Sequence, residues 1–454
     1  MTGDTPLIPG NGYPHIVRDL AAKTGTTPDK LGFILAELCA IGLALVYSIL
    51  LCSQAVPPAV RKFFLIILGV LILCVCFGSD VIFFFVGAMI SYLLIKALPS
   101  EILPPTTLVF MLGYQSILHV IRQYTYPGGY TVDITGPLMI LTQRASALAF
   151  SIRDGEYTRG LSGQQVQDAV AEAPDALSYF AYTFDFHVIL AGPFLPYNAF
   201  LSVVKGRRRG IREWQFQLLQ AILKLVTAAG IALVILKTQP LVAERNLLSD
   251  RFASLPYHTK LLYLILFTGH TRLQYYVAWK LAEAACVISG YGHYVTPSGE
   301  ERWDGADNID IAEVETAPSI KVLLDNWNTS TQRWLKHVCH DREGPNNTLR
   351  TFLLSAVWHG LYPGYFLSFL TIMLFVLASR HVRRHVKPRL LSSNLVTPRT
   401  YDLITFAFTV VFTAYASVPF ILLQFDKSHH VWRHMFYCGH LVAVLPFALP
   451  HIFS

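Results

Sequence analysis

Residues 351–379 run for 29 positions without an Asp, Glu, Lys or Arg. About 20 apolar residues in a helix cross the hydrocarbon core of a bilayer, and a stretch this long has no place on a water-facing surface. The feature recurs along the chain. Residues 38–60 and 403–425 carry no charge over 23 positions each, 102–121 over 20 and 63–79 over 17. A length of 454 residues would allow two to four soluble domains of about 100–200 residues each. Charged residues make up only 14% of the chain and apolar ones 53%, where soluble proteins carry about 25% charge. Several hydrated surfaces cannot be built from so few charges, and disorder needs low hydrophobicity with high net charge. The reading is an all-α, polytopic membrane protein.

Less uniform apolar stretches at 132–150, 184–204, 218–236, 261–288 and 434–454 bring the expected number of membrane segments to nine to eleven. Residues 1–30 read as a polar N-terminal tail without a cleavable signal, the first apolar run serving as an anchor. Residues 31–454 read as one transmembrane domain, with an N-terminal helical block at about 31–121 and a second part at about 132–454. Residues 151–178 and 292–320 are polar and read as lying outside the bilayer. No internal repeat is apparent, which weakens an inverted-repeat transporter reading.

The charge excess, 36 − 29 = +7, is the small surplus that cytoplasmic loops of membrane proteins carry and gives no nucleic-acid signal. Two basic clusters, 205–212 and 380–389, are expected to face the cytosol and anionic headgroups. The seven cysteines (Cys39, Cys52, Cys74, Cys76, Cys286, Cys339 and Cys438) show no CxxC spacing and read as small buried hydrophobes. There is no phosphate-binding GxxxxGK loop and no GxSxG elbow. His381 and His385 sit among arginines that repel a metal cation, and His337 with His340 lacks a second ligand pair.

Chemistry is sought where polar residues interrupt apolar ones, because each such group has to face a cavity or a partner. His359 is the one His in the 29-residue uncharged stretch, within Ser-Ala-Val-Trp-His-Gly-Leu-Tyr-Pro-Gly-Tyr at 355–365. Gly360, Pro363 and Gly364 follow it, so the helix is expected to distort there and open a polar pocket. Imidazole, with an ordinary pKa near 6.5, is the usual general base at neutral pH. Upstream, residues 325–337 mix Trp327 and Trp334 with Asn326, Asn328, Arg333, Lys336 and His337. One reading is an amphipathic interfacial helix. The other is an Asn amide that shares the pocket of His359 and orients substrate or donates to an oxyanion.

The two motifs, Trp327-Asn328-Thr-Ser-Thr-Gln-Arg-Trp334 and Trp358-His359-Gly360, stand 31 residues apart, 359 − 328. In this order and setting the chain resembles the membrane-bound O-acyltransferases. Its blocks at 133–143, 275–283, 315–319 and 352–370 are similar to the branch acting on lysophosphatidylethanolamine and lysophosphatidylserine. The resemblance covers about residues 31–450. It implies a helical shell around a transmembrane reaction tunnel. His359 would be the general base, and Asn328 would orient the acceptor or thioester or stabilise the oxyanion. The co-substrate would be acyl-CoA from the cytosolic side, with no other cofactor and no metal. The acceptor would be a lysophospholipid arriving among membrane lipids, in the endoplasmic reticulum membrane. Adjacency to the two motifs makes Trp327, Trp334, Trp358 and Tyr362 candidate tunnel walls. Family members that acylate a sterol, diacylglycerol or a protein are the enzymatic alternative. A transporter would explain the broken helices equally well, but not the joint presence of the Asn and His motifs. The sequence sets no oligomeric state.

Overall fold

The computed structural model describes residues 15–51, 55–125, 131–206, 210–296, 298–393 and 396–452. Cys52, residues 207–209 of the first basic cluster and residues 1–14 of the tail lie outside the described residues. Helices dominate. The first ten are α1 (His15–Thr24), α2 (Pro28–Leu50), α3 (Pro58–Phe77), α4 (Val81–Ala97), α5 (Leu103–Thr125), α6 (Thr135–Glu156), α7 (Gly163–Asp168), α8 (Ala176–Thr183), α9 (Tyr197–Lys205) and α10 (Ile211–Thr238). Short α11 (Glu244–Leu247) and α12 (Asp250–Ser254) precede the long α13 (Tyr257–Ser289). A small hairpin pairs Tyr294 with Arg302. It leads to α14 (Ile311–Glu315), α15 (Ile320–Asn326) and α16 (Thr329–Leu335). The chain closes with α17 (Asn347–His359), α18 (Pro363–His381), α19 (Lys387–Ser392), α20 (Pro398–Leu422), α21 (Phe425–His434) and α22 (Cys438–Ile452).

Five helical stretches among the described residues are long and apolar enough to cross a membrane unaided: Pro28–Leu50, Pro58–Ala97, Ile211–Leu241, Pro363–Ser392 and Pro398–Leu422. The expected count of nine to eleven rests, beyond these, on helices with polar interruptions such as α5, α6 and α13. The polar stretch 151–178 contains the short helix α7 and the start of α8, each opened by a side-chain cap, Ser162 on Gln165 N–H and Asp175 on Ser178 N–H.

The chain divides into two compact units that interleave in sequence. The first takes Met1–Ala232, Tyr276–Asn308 and Ser330–Glu343; the second takes Leu233–Tyr275, Ile309–Thr329 and Gly344–Ser454. The core of the first unit gathers apolar side chains from α2 to α9 and from the end of α13. Gly69 is the close-approach point of α3: a Cβ there would lie 1.7 Å from the Phe184 carbonyl oxygen.

Several charges carried into apolar helices have partners of opposite sign. In the first unit the buried Glu283 carboxylate accepts from Lys280 at 2.7 Å, Lys224 at 3.1 Å and the Asn308 N–H at 2.8 Å, and Lys224 also reaches Asp307 at 2.6 Å. In the second unit Arg272 grips Glu315 through two hydrogen bonds of 3.0 and 2.8 Å. These pairs explain how Lys224, Arg272, Lys280 and Glu283 sit in otherwise apolar helices.

In the second unit α17, α18 and α20 pack together. α18 starts against the end of α20, where the Gly364 N–H donates to the Leu423 carbonyl at 2.7 Å. One turn on, the Ser368 hydroxyl donates to Ala416 O at 2.5 Å. At the other end Lys387 lies 4.6 Å from the Tyr401 ring centroid. α18 and α20 are therefore antiparallel. α22 is fixed to them through His440, whose ring nitrogens bond the Tyr415 hydroxyl at 2.7 Å and the Thr371 hydroxyl at 3.2 Å.

Two stability predictions follow from these contacts. A Cβ at Gly364 would fall 2.1 Å from Pro419 O and 2.7 Å from Leu423 O, whereas one at Gly42 meets nothing within 4 Å. Gly364→Ala should cost about 1–3 kcal/mol and Gly42→Ala should leave stability unchanged or slightly raised, both read by thermal unfolding in detergent. Glu283→Ala removes the buried carboxylate that accepts from Lys280, Lys224 and the Asn308 N–H and should destabilise by about 3–5 kcal/mol, with Glu283→Gln milder in the same assay.

Candidate active site

The uncharged stretch 351–379 is two helices, and the break falls directly after His359. Gly360 adopts φ +132°, a conformation that favours glycine, and its N–H caps α17 on the Ala356 and Val357 carbonyls at 3.2 and 3.1 Å. Pro363 then opens α18, where its missing N–H costs nothing. The expected distortion is thus a full helix end, with His359 as the last residue of α17.

The imidazole is held from both sides. Its Nδ1 lies 2.7 Å from the Ser355 carbonyl oxygen, one turn back. A carbonyl only accepts, so Nδ1 carries the hydrogen, and in the neutral ring Nε2 carries the lone pair. Among the described residues Nε2 has no hydrogen-bond partner, and the residue is half-buried rather than sealed. Aromatic rings surround it: Trp358 at 4.7 Å, Phe369 at 4.9 Å, Phe420 at 5.2 Å and Tyr365 at 5.8 Å between centroids. They come from α17, α18 and α20, so the packing of three helices fixes the ring plane. The arrangement is a base with its proton-accepting atom open and its other nitrogen locked.

Asn328 belongs to the same unit. It lies between α15 and α16 with φ +49°, a left-handed conformation that Asn tolerates better than most residues. The preceding turn is tied down by Asn326, whose carbonyl accepts from the Asp310 N–H at 3.2 Å and whose amide donates to Val322 O at 3.0 Å. The Asn328 side chain is half-buried and makes no hydrogen bond among the described residues, none to His359 included. Its amide is free to meet a ligand.

The four aromatic candidates fall in different places. Trp358 edges the His359 ring, and buried Tyr362 stands 6.0 Å from Tyr365, which also faces that ring. Trp327 packs 6.0 Å from Tyr275 in the second unit. Trp334 is fully buried in the first unit, where its Nε1 donates to Ser146 Oγ at 2.9 Å. It presents no surface to a membrane interface or to a substrate.

Trp334 is one of a series of contacts between α6 and residues 330–343 that sequence reasoning did not find. Gln143 donates to the Thr331 hydroxyl at 2.9 Å, His337 Nε2 meets Ser151 Oγ at 3.2 Å, and Arg342 pairs with both Asp154 oxygens at 2.6 and 2.7 Å. The available signal was the run of polar residues over three turns of α6. A second buried cluster was also missed. Asp185 accepts from His187 Nδ1 at 2.6 Å and from the Tyr291 hydroxyl at 2.5 Å, with Arg144 3.9 Å away and stacked on Tyr182.

Comparison with known proteins shows the family. The membrane-bound O-acyltransferase family matches residues 120–424, which contain both Asn328 and His359. Membrane-bound glycerophospholipid O-acyltransferase 2 of Gallus gallus is 33% identical over 92% of this chain and 84% of its own. Membrane-bound glycerophospholipid O-acyltransferase 1 of Mus musculus is 32% identical over 98% of this chain and 92% of its own. A lysophospholipid acyltransferase of Schizosaccharomyces pombe is 30% identical over 94% and 87%. A multi-pass helical chain with a family match over most of its length and an open imidazole within that match is an acyltransferase, and it belongs to the membrane-bound O-acyltransferase family.

Proposed function

We propose that this chain transfers a fatty acyl group from acyl-CoA to the free hydroxyl of a lysophospholipid, as a phospholipid-remodelling enzyme of the endoplasmic reticulum membrane. Lysophosphatidylethanolamine and lysophosphatidylserine are the favoured acceptors, ahead of lysophosphatidylcholine. The observation that carries the reading is the 2.7 Å bond from His359 Nδ1 to Ser355 O, which leaves Nε2 as a neutral base open to a hydroxyl. The names of the relatives support the lipid class of the acceptor.

In this mechanism Nε2 takes the proton of the acceptor hydroxyl as its oxygen attacks the thioester carbon. The carbon–sulfur bond of the tetrahedral intermediate then breaks, giving a diacyl phospholipid and CoA. Asn328 donates its amide hydrogens to the developing oxyanion or to the thioester carbonyl before attack. No covalent acyl-enzyme is required. A placed base contributes about 10²–10⁴ in rate, and the aromatic surround supplies the fixed orientation on which that depends.

The test is transfer from oleoyl-CoA to a mixture of lysophospholipids by purified protein, followed as new diacyl species by mass spectrometry. His359→Ala should lower turnover by about 10²–10⁴ with unchanged thermal unfolding; full activity in that variant would overturn the mechanism. Asn328→Ala should lose most turnover while still binding substrate, and wild-type turnover would remove it from the site. Product with a sterol, diacylglycerol or peptide acceptor, and none with any lysophospholipid, would replace the acceptor class.

A further inference from the structure

The Nδ1 of His359 donates to a backbone carbonyl, Ser355 O at 2.7 Å, and not to a carboxylate. The buried His187 of the first unit shows the other choice, with its Nδ1 2.6 Å from Asp185. The difference matters once the base has accepted a proton. An imidazolium among apolar side chains is disfavoured unless negative charge faces it, and in Ser-His-Asp sites the carboxylate supplies that charge. None is at hand here. α17, α18 and α20 carry Arg350, Arg380, Arg399 and Asp402 as their formal charges, each nine or more residues along its helix from the rings that surround His359. The neighbouring elements add none: Lys321 and Asp325 of α15 pair with each other, Lys427 of α21 pairs with Glu244, and His440 of α22 is bonded to Tyr415 and Thr371. Among the described residues no charged group acts on the ring, and Tyr365 is the one titratable side chain that faces it, at 5.8 Å between centroids.

With Nδ1 committed to Ser355 and Nε2 open to the acceptor hydroxyl, only the faces and carbon edges of the imidazole remain for the protein to hold the charge. Phe369 of α18 lies 4.9 Å away between centroids with its plane 39° from that of the imidazole, and Phe420 of α20 lies 5.2 Å away at 78°. Both are within the roughly 6 Å at which a cation is drawn to an aromatic ring. Phenylalanine has no donor and no acceptor, so beyond dispersion it offers the imidazole only the negative charge of its π face. The two phenyl groups stand 6.1 Å apart, and Tyr365 packs on Phe420 at 4.9 Å, which braces the pair. Resting on the base role given to His359 above, we propose that Phe369 and Phe420 are positioning residues that act through His359, stabilising its imidazolium by their π faces in the place of a carboxylate. In the step concerned the acceptor O–H bond breaks and an N–H bond forms at Nε2. The positive charge spreads over the imidazole beside the two phenyl groups until the proton passes to the departing sulfur. A π face attracts a cation less strongly than a carboxylate does, so the proton is also released readily.

The test uses the full chain in detergent. Both rings are removed in Phe369→Leu/Phe420→Leu, and each is replaced singly by 4-cyanophenylalanine, which keeps the ring but draws negative charge from its face. Phe408→Leu, at an exposed position of α20, is the control. Carbethoxylation of His359 by diethyl pyrocarbonate, which needs the neutral imidazole, is followed against pH by mass spectrometry of the peptide that contains it. The acid dissociation constant of His359 should rise about three- to ten-fold in the double variant, less in each cyano variant, and not at all in the control. The kcat for transfer from oleoyl-CoA to lysophospholipid should fall in the same order, with both KM values unchanged. The titration needs no substrate, so it separates the two readings: a wild type inactive on every lysophospholipid would overturn that acceptor, while the expected shift in the titration would still support the π contact. An unmoved titration in the double and cyano variants would overturn the proposal. A shift in the double variant with none in either cyano variant would overturn it too, and assign the effect to packing. Where the double variant fails to fold, the cyano variants decide alone.

Discussion

A bilayer offers a polar group no partner, so a charge that this chain carries into apolar surroundings is stabilised where another part of the chain meets it. Glu283 is met by two lysines and a backbone N–H, Arg272 by Glu315, and Asp185 by a histidine and a tyrosine. The rest of the structure depends on this constraint. It fixes which helices lie beside each other and leaves apolar packing to fill the space between. Against that background a polar side chain without a partner stands out, and the open Nε2 of His359 and the open amide of Asn328 are such groups.

The helices were legible where they were apolar. The uncharged runs at 63–79, 102–121 and 403–425 correspond to α3, α5 and α20 with ends displaced by up to five residues, whereas the run at 38–60 is out of register by ten residues at each end with α2 (Pro28–Leu50), whose first half carries Asp29, Lys30 and Glu37. The break beside His359 was legible too, because Gly360 and Pro363 have few other ways to be accommodated in one short segment. Motif and spacing pointed to Asn328 and His359 as the proposed pair, while the hydrogen bond of the His359 ring was not legible: several carbonyls lie within reach of such a ring, and only the helix end selects Ser355.

What stayed hidden was pairing at long range. Lys224 meets Asp307 across 83 residues and Trp334 meets Ser146 across 188, and neither separation leaves a periodic trace. Trp334 shows the physical reason most clearly. A tryptophan beside polar residues reads as an interfacial anchor, yet the same indole N–H is satisfied as well by a serine hydroxyl inside the protein as by a lipid headgroup. The division into two interleaved units was hidden for the same reason, since two of its boundaries fall inside α10 and α13, where composition does not change.

The locked nitrogen of His359 has one more consequence. With Nδ1–H committed to the Ser355 carbonyl, the ring exchanges protons through a single atom. In the proposed mechanism a proton gained at Nε2 leaves from Nε2, and the departing sulfur is the next base to arrive there. On that reading the catalytic cycle closes on itself: the hydrogen lost by one substrate is returned to the fragment of the other, and bulk solvent is not consulted. Such a site needs no file of water molecules leading to it, and a setting of tryptophan, tyrosine and phenylalanine rings suits it better than a wet one.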